Sequence, residues 1–367
     1  MHVSSLHLQN YRNLATQSLN LSGGLNIFAG RNAQGKTNLL ESIYLCASGR
    51  AKRAKYDREL VRFGEGDAYV QLTVTPGGVR VSPTQIAIHL RGAGSKGIAI
   101  NGVPIRKLAD LFGELLCVMF TPEDLRLIKE GPAERRRFID MEMCQISRVY
   151  VYHLQTYYHV LKQRNSLLKS LRGNRSAAKQ LQDTISVWDD QLAEHGAKIY
   201  DERKVFIESL SCAAAEIHGR LTGGAEVLRI DYRPNVFSGE LAKKLAATLE
   251  RDIVLGSTSV GIHKDDLNFT INGIDARTYG SQGQQRTASL SAKLAQIEIM
   301  TTLAAEPPIL LLDDVLSELD ETRQTQLMHS ISNQQAIITC TGVEDVVRKV
   351  SARQSYNLFR IEGGVVT

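Results

Sequence analysis

The chain has 367 residues, enough for about two domains. Its 43% apolar and 23% charged residues are those of an ordinary globular protein, and no apolar run reaches the ~18 residues of a membrane span, so a membrane role is not expected. The net charge of +5 permits a polyanionic partner without requiring one.

In chain order, HVSSLHLQNYRNL and GLNIFAGRN carry apolar residues at period two and break at glycine, which predicts strands. A helix is predicted from Lys36 to Ala47. Residues 67–101 hold short strand-like stretches (AYVQLTVTP, TQIAIHL, GIAING) split by Pro and Gly, a small antiparallel region. LLCVMF at 115–120 reads as a buried strand.

From Ala133 to Leu221 the pattern turns helical, with a break at GNRS (173–176) between two long stretches. No strict heptad persists, so a long coiled coil is not expected. Strands return after residue 225: PPILLLDD, QAIITCTG, and SYNLFRIEGGVV as a last strand or hairpin. The expected fold is an α/β head assembled from both chain ends (1–132 and 225–367), with a helical lobe (133–224) inserted between them.

The five cysteines form no CxxC pair and sit in apolar runs, as reduced core thiols of a cytoplasmic protein do. The opening MHVSSLHLQNYRNL lacks the basic segment and continuous apolar core of a signal peptide. The nine histidines show neither HExxH nor a Cys/His cluster, so no zinc site is expected.

Gly30-Arg31-Asn32-Ala33-Gln34-Gly35-Lys36-Thr37 matches G-x-x-x-x-G-K-[ST], and it lies between a predicted strand and a predicted helix, as a phosphate loop must. Its glycines let successive N–H groups point at phosphates. Lys36 would reach the β- and γ-phosphates of ATP, and Thr37 would hold Mg²⁺ through its hydroxyl. Its natural partner is Ile309-Leu-Leu-Leu-Asp313-Asp314, a buried strand ending in two acids. Asp313 is assigned to the metal and Asp314 to polarising the attacking water. Taken alone, LLLDD would read as a strand running into a helix cap; SELD follows it, with Ser317 as the expected N-cap.

A further stretch, GSQGQQR, sits at a predicted helix start, where N–H donors and the positive dipole end favour an anion. The chain's own phosphate loop already surrounds its nucleotide. A second set of donors, from Ser281, Gly283 and Gln284, is most easily supplied to the nucleotide of another subunit.

Phosphate loop, SxGxx at a helix start, LLLDD and SELD, in this order, resemble the ATPase heads of the ABC class. Within that class the chain resembles the RecF family almost end to end, through LHLQNYRNL, GRNAQGKTNLLESIYLCASGR, FTPEDLRLIKEGPAERRRFID, LKQRNSLLK, GIHKDDLNFTING, YGSQGQQRTASLSAKLAQ, ILLLDDVLSELD and IITCTG. The resemblance implies an ABC-type P-loop head with Mg²⁺ and ATP, and a homodimer in which each signature segment closes on the partner's nucleotide. It also implies DNA binding, RecO-type and RecR-type partners in RecA loading at gaps, a part in replication restart and the SOS response, slow DNA-stimulated ATP hydrolysis, and a nucleoid-associated place in the cytoplasm. Arg12, near the end of the first strand, is expected at phosphate or adenine, and Thr121–Asp124 at the loop that couples nucleotide to lobe. Departures are Lys52 where the family commonly has histidine, Ile262 for proline and Lys264 for arginine. No switch histidine ends AIITCT, which leaves Thr339 or Thr341 for that place.

Candidate DNA contacts are Arg50, Lys52, Arg53, Lys55 and Arg58, then Arg135, Arg136 and Arg137, with Lys162, Arg164, Lys169, Arg172 and Arg175 along the lobe. A solvated helix face explains any one such run equally well. Arginines at a helix start oppose its dipole, so Arg135–Arg137 need DNA or an acidic neighbour. No base-reading motif is present, which predicts recognition of DNA form rather than sequence. Trp188 and the tyrosines Tyr150, Tyr152, Tyr157 and Tyr158 read as packing, and His263 as a surface or interface residue. A transporter ATPase is disfavoured by the long lobe and missing switch histidine. A two-metal nuclease built on Asp313 and Asp314 lacks a second acidic cluster.

Overall fold

The computed structural model describes residues 1–78, 82–172, 182–331, 333–342 and 355–367. Its elements in chain order are β1 (His2–Tyr11), β2 (Leu14–Asn20), β3 (Leu25–Ala29), α1 (Lys36–Ser48), β4 (Asp67–Thr75), β5 (Thr84–Arg91), β6 (Gly97–Ile100), β7 (Val103–Pro104) and β8 (Cys117–Phe120). There follow α2 (Arg126–Lys129), α3 (Pro132–Ile146), α4 (Arg148–Leu171), α5 (Gln182–Leu221), β9 (Leu228–Arg233), α6 (Leu241–Leu255), β10 (Asp266–Ile271) and β11 (Ile274–Asp275). The chain continues through α7 (Gln282–Ala304), β12 (Ile309–Asp313), α8 (Glu321–Ser330), β13 (Ala336–Cys340), β14 (Tyr356–Glu362) and β15 (Val365–Val366).

These elements form two compact units, Met1–Leu125 with Leu290–Thr367, and Arg126–Ser289. The first boundary lies near the expected residue 132. The second falls at Ser289 rather than 224, because β9, β10 and β11 make a separate antiparallel sheet that packs on α3 and α5. The signature segment therefore belongs to the second unit.

The first unit has two six-stranded sheets. One is ordered β2-β1-β4-β5-β6-β7 and is antiparallel throughout. Alternation in β4 and β5 buries Ala68, Val70, Leu72 and Val74 against Ile86, Ile88 and Leu90. In β1 the alternation shifts phase, and a register irregularity between Val3 and Ser5 lets Val3 and Leu6 both face the core. The other sheet is ordered β15-β14-β3-β13-β12-β8, parallel from β14 to β8. Strands β3, β8, β12 and β13 are buried at every position, which is why they read as continuous apolar runs rather than alternating ones. Helix α1 packs against both sheets through Leu39, Leu40, Ile43, Leu45 and Cys46. All these parallel strands end on one sheet edge, where open α/β sheets bind ligands.

The C-terminal hairpin β14–β15 is stitched to the N-terminal strands. Gln17 Nε2 donates to the Gly364 carbonyl at 3.1 Å, and Val366 N donates to Gln17 Oε1 at 3.2 Å.

In the second unit the first helical stretch is split at Ser147, whose extended backbone ends α3 and whose hydroxyl accepts from Tyr150 N to cap α4. Arg164 and Arg203 are wholly buried. Arg164 binds Asp189, Asp252 and Thr258; Arg203 binds Asp140, Asp265 and the Tyr150 hydroxyl. Arg164 is thus a core residue, not the DNA contact expected of it. Burial raises the Asp189 and Asp265 carboxyls above their usual range although arginine opposes it. Tyr150 and Tyr157 are buried while Tyr152 and Tyr158 are exposed, and Trp188 is half-buried. Arg175 and the GNRS break lie outside the described residues. Cys46, Cys117, Cys144 and Cys340 are buried free thiols, and Cys212, against expectation, is exposed. Among the described residues no helix is long and apolar enough to cross a membrane.

Candidate nucleotide site

The loop from Gly30 to Gly35 leaves the end of β3 and turns directly into α1. Gly35 has φ 113°, and a Cβ there would come within 2.9 Å of the Asn13 side chain. Gly30 likewise has no room for a Cβ against the Ile361 carbonyl. Both glycines are therefore required by backbone conformation or by neighbours. Arg31, Asn32 and Ala33 are exposed at the crest of the loop. Gln34 anchors its flank: its carbonyl accepts from Asn13 Nδ2 at 3.0 Å, and its Oε1 accepts from Gly363 N at 2.5 Å. Lys36 is only 6% exposed, and its ammonium donates into the loop, to the Gly30 carbonyl at 2.5 Å and to the Arg31 carbonyl at 3.0 Å.

Asp313 ends β12 beside this loop. Thr37 Oγ1 donates to Asp313 Oδ1 at 2.7 Å, joining residues 276 positions apart. Thr339, at the end of the intervening strand β13, donates to the same oxygen at 3.1 Å and accepts from Asp314 N at 2.9 Å. Of the two threonines considered for the switch place, Thr339 touches both acids and Thr341 is exposed. Asp314 is half-buried with a left-handed backbone, φ 53°. Ser317 donates to the Asp314 carbonyl at 2.7 Å and so closes this turn. The expected N-cap role falls instead to Asp320, which accepts from Arg323 N at 2.9 Å.

Two members of the basic run after α1, Lys52 and Arg53, are paired with carboxylates, while Arg50, Lys55 and Arg58 are exposed. Lys52 Nζ meets Asp124 Oδ1 at 2.8 Å and Thr121 Oγ1 at 2.9 Å. Arg53 Nη2 lies 3.1 Å from Asp313 Oδ2 and 2.9 Å from Glu123 Oε1. Burial pulls the Arg53 guanidinium pKa down, but its bond to Glu123 and the charges of Glu123 and Asp313 outweigh that and raise it. Burial alone would raise Glu123; Arg53 turns the balance and holds it below the usual carboxylate range. Lys52 and Arg53 are therefore tied to the site and to the Thr121–Asp124 turn, not held out for DNA. Arg12, expected at phosphate or adenine, pairs through its Nη2 with Glu41 Oε2 at 2.7 Å. Glu41, 1% exposed on α1, takes Arg53 N on its other oxygen at 2.8 Å. Nothing in the chain pattern singles out Glu41 beyond its place in LLESIYL, one turn past Thr37.

In the second unit, Ser281 and Gln284 hold each other. Ser281 N donates to Gln284 Oε1 at 2.9 Å, and Gln284 N donates to Ser281 Oγ at 3.2 Å, a capping box at the start of α7. Gln284 Nε2 also reaches Glu226 Oε1 at 2.9 Å. Ser281 and Gly283 are exposed, and a Cβ on Gly283 would meet only Ser281 Oγ at 3.9 Å. The chain's own packing does not require glycine there.

Of the three consecutive arginines on α3, Arg135 is 3% exposed and paired with Asp266 at 2.6 Å. Arg136 donates to the Asp265 carbonyl at 2.7 Å, and Arg137 is exposed. For Arg135 the acidic neighbour, not DNA, answers the helix dipole. His263, expected at the surface or an interface, is half-buried: its Nδ1 lies 2.9 Å from the Tyr157 hydroxyl and its Nε2 3.2 Å from the Thr258 carbonyl.

The donor set of the first unit fits a nucleotide with Mg²⁺. A glycine-bound loop, a lysine inside it, and a hydroxyl and carboxylate within 2.7 Å of each other supply the hard oxygens and the cation that such a ligand needs. Among the described residues no group of three or more His, Cys, Asp and Glu gathers as a separate metal centre.

Comparisons with known proteins place the chain in a family. The RecF/RecN/SMC N terminal domain family matches residues 2–367. The DNA replication and repair protein RecF of Lachnospira eligens is 45% identical over 367 residues, covering 100% of this chain and 99% of that protein. The RecF of Lachnoclostridium phytofermentans is 47% identical over 347 residues, covering 95% and 94%. A solved structure of the recombination mediator protein RecF-ATP in the RecFOR pathway superposes with a TM-score of 0.90 at 34% identity, covering 100% of this chain and 97% of that one. The Smc head domain derived from Pyrococcus furiosus, at 15% identity and a TM-score of 0.58, shares the fold alone. With a family match across the whole chain and relatives this similar along its length, the chain belongs to the RecF family of DNA replication and repair proteins.

Proposed function

We propose that this chain is an ATP-dependent DNA-binding repair protein that works as a homodimer. The observation that carries the reading is the Thr37–Asp313 contact of 2.7 Å beside the phosphate loop, in a chain whose fold matches that of a solved RecF-ATP structure. Lys36 and the loop N–H groups bind phosphate, and Thr37 and Asp313 would hold Mg²⁺, which would supply positive charge beside the phosphates. Asp314 orients and deprotonates the attacking water, so that ATP is hydrolysed to ADP and phosphate. Ser281, Gly283 and Gln284 present the start of α7, with its N–H donors, to the nucleotide of the other subunit. The room above Gly283 supports this, since a phosphate can approach the backbone there.

Hydrolysis is slow and DNA-stimulated, and ATP acts as a switch for assembly rather than as motor fuel. The protein acts with RecO-type and RecR-type partners to help load RecA at gapped DNA, supports replication restart and the SOS response, and resides in the cytoplasm with the nucleoid. Exposed Arg50, Lys55 and Arg58 offer phosphate contacts on the first unit, with Lys55 and Arg58 flanking the exposed Tyr56 ring at 5.4 and 5.1 Å. Arg137 offers another on the second.

The test is binding to gapped, duplex and single-stranded DNA with and without a non-hydrolysable ATP analogue. Tighter binding with the analogue is expected, along with a salt slope that falls by about one for each contacting Lys55→Ala or Arg58→Ala change. Binding indifferent to the analogue overturns the reading.

A further inference from the structure

Asp313 has no spare oxygen. Oδ1 accepts from Thr37 and Thr339, and Oδ2 faces Arg53 Nη2 at 3.1 Å. The carboxylate is 3% exposed, so the guanidinium is the cation that balances it in this state. The same Nη2 also serves Glu123, at 2.9 Å from Oε1 and 3.1 Å from Oε2. Arg53 therefore joins the acid at the end of β12 to the turn that follows β8.

Three features make this link releasable. The Arg53 side chain is 39% exposed, so it has solvent to move into. Its main-chain N is held by Glu41 Oε1, which fixes the stem while the head moves. Glu123 gives the head a second carboxylate to rest on. Next door, Lys52 is bound to Thr121 and Asp124 of the same turn, so the segment carrying Arg53 stays stapled to that turn.

A divalent cation and a guanidinium on one small buried carboxylate repel each other. We propose that Arg53 is a positioning residue that competes with the divalent cation for Asp313, and that it passes to Glu123 when the cation arrives. This rests on the reading of Asp313 as a metal-holding acid. Occupation of the metal site is thereby reported to the Thr121–Asp124 turn through one side chain, with no larger movement needed. Arg53 also keeps a bare, buried Asp313 from going uncompensated between cycles.

The experiment titrates nucleotide-free full-length protein with Mn²⁺, followed by its electron paramagnetic resonance signal. Arg53→Ala and Arg53→Gln should each bind Mn²⁺ about tenfold more tightly than wild type, because the competitor is gone. Arg53→Lys, which keeps the charge, should stay within about twofold of wild type. Adding Asp313→Asn to Arg53→Ala should abolish the gain. If that double variant binds as tightly as Arg53→Ala, the metal does not use Asp313 and the underlying reading fails. If Asp313→Asn removes binding but Arg53→Ala and Arg53→Gln bind no better than wild type, the competition is absent and this inference alone falls. A second readout is hydrogen exchange of residues 119–125. Mn²⁺ should raise exchange in wild type and leave it unchanged in Arg53→Ala, and an equal response in both overturns the hand-over. Circular dichroism melts confirm that each variant is folded, with Arg53→Gln the closer match in size to arginine.

Discussion

Ser281 and Gln284 hydrogen-bond reciprocally across the first turn of α7, so the residues expected to face a nucleotide also hold their own helix end together. The two roles separate experimentally. Ser281→Ala should lower stability by about 1 kcal/mol and leave ATP-dependent assembly largely intact. Ser281→Arg should bind nucleotide like wild type but fail to dimerise with ATP, because a long cation fills the space above Gly283. Light scattering with ATP decides it; a normal dimer in the arginine variant removes the trans arrangement.

Asp314 has a left-handed backbone, φ 53°, a conformation that asparagine tolerates as well as aspartate does. Asp314→Asn is therefore a clean test of the carboxylate. Nucleotide binding should persist, hydrolysis should fall by roughly 100-fold or more, and the ATP-bound dimer should live longer. Turnover near the wild-type rate would mean that another group deprotonates the water.

Arg164 is the partner of two buried acids, Asp189 and Asp252. Arg164→Ala should cost about 3–5 kcal/mol, since it strands those carboxylates in the interior. Urea unfolding measures the loss. Any change in the salt dependence of DNA binding by the surviving folded protein would instead place Arg164 at a DNA surface.

Burial holds His263 down at about pKa 4; its bond to the Thr258 carbonyl opposes this, while Lys264 and Arg136 add to it. The folded state thus prefers the neutral ring. Its contribution is present above about pH 6.5 and is lost as pH falls from there through about 4, up to roughly 3 kcal/mol at about 1.4 kcal/mol per unit. Asp265 and Asp189, with raised pKa values, act in the opposite sense over the acidic range, so wild type alone does not isolate the histidine. The melting-temperature difference between wild type and His263→Gln should shrink over that interval. A difference independent of pH rules the assignment out.

Local order carried most of what the chain reveals about its fold. The phosphate loop reads from eight adjacent residues, and the buried parallel strands read from runs such as ILLL and AII. The antiparallel sheet of β4 to β6 and the final hairpin follow from alternation and glycine breaks. What local order conceals is which way a charged side chain turns. Lys52, Arg53, Arg135 and Arg164 look like four members of basic surface runs, yet each meets a carboxylate far along the chain: Asp124, Asp313, Asp266 and Asp252. Such pairs are set by tertiary packing, which no spacing rule encodes. The capping box was legible as S-x-x-Q, but the same letters also suit a phosphate contact. The strands β9 to β11 look in sequence like those of the head, but among the described residues they pair with each other and group with the helices of the second unit.

The hairpin at the end of the chain steadies a loop near its beginning, through Gly363 on Gln34 and through Gln17 on Gly364 and Val366. Strand β3, which delivers the loop, also has both its neighbours, β13 and β14, in the C-terminal part. During synthesis at about 5–20 residues per second, the loop therefore spends tens of seconds outside the tunnel without the sheet that shapes it. A nascent chain has the phosphate-loop residues early, but the strands that flank β3 and the hairpin that touches Gln34 are made last. A product that stops before β14 would lack the Gly363–Gln34 and Gly364–Gln17 supports of the phosphate loop.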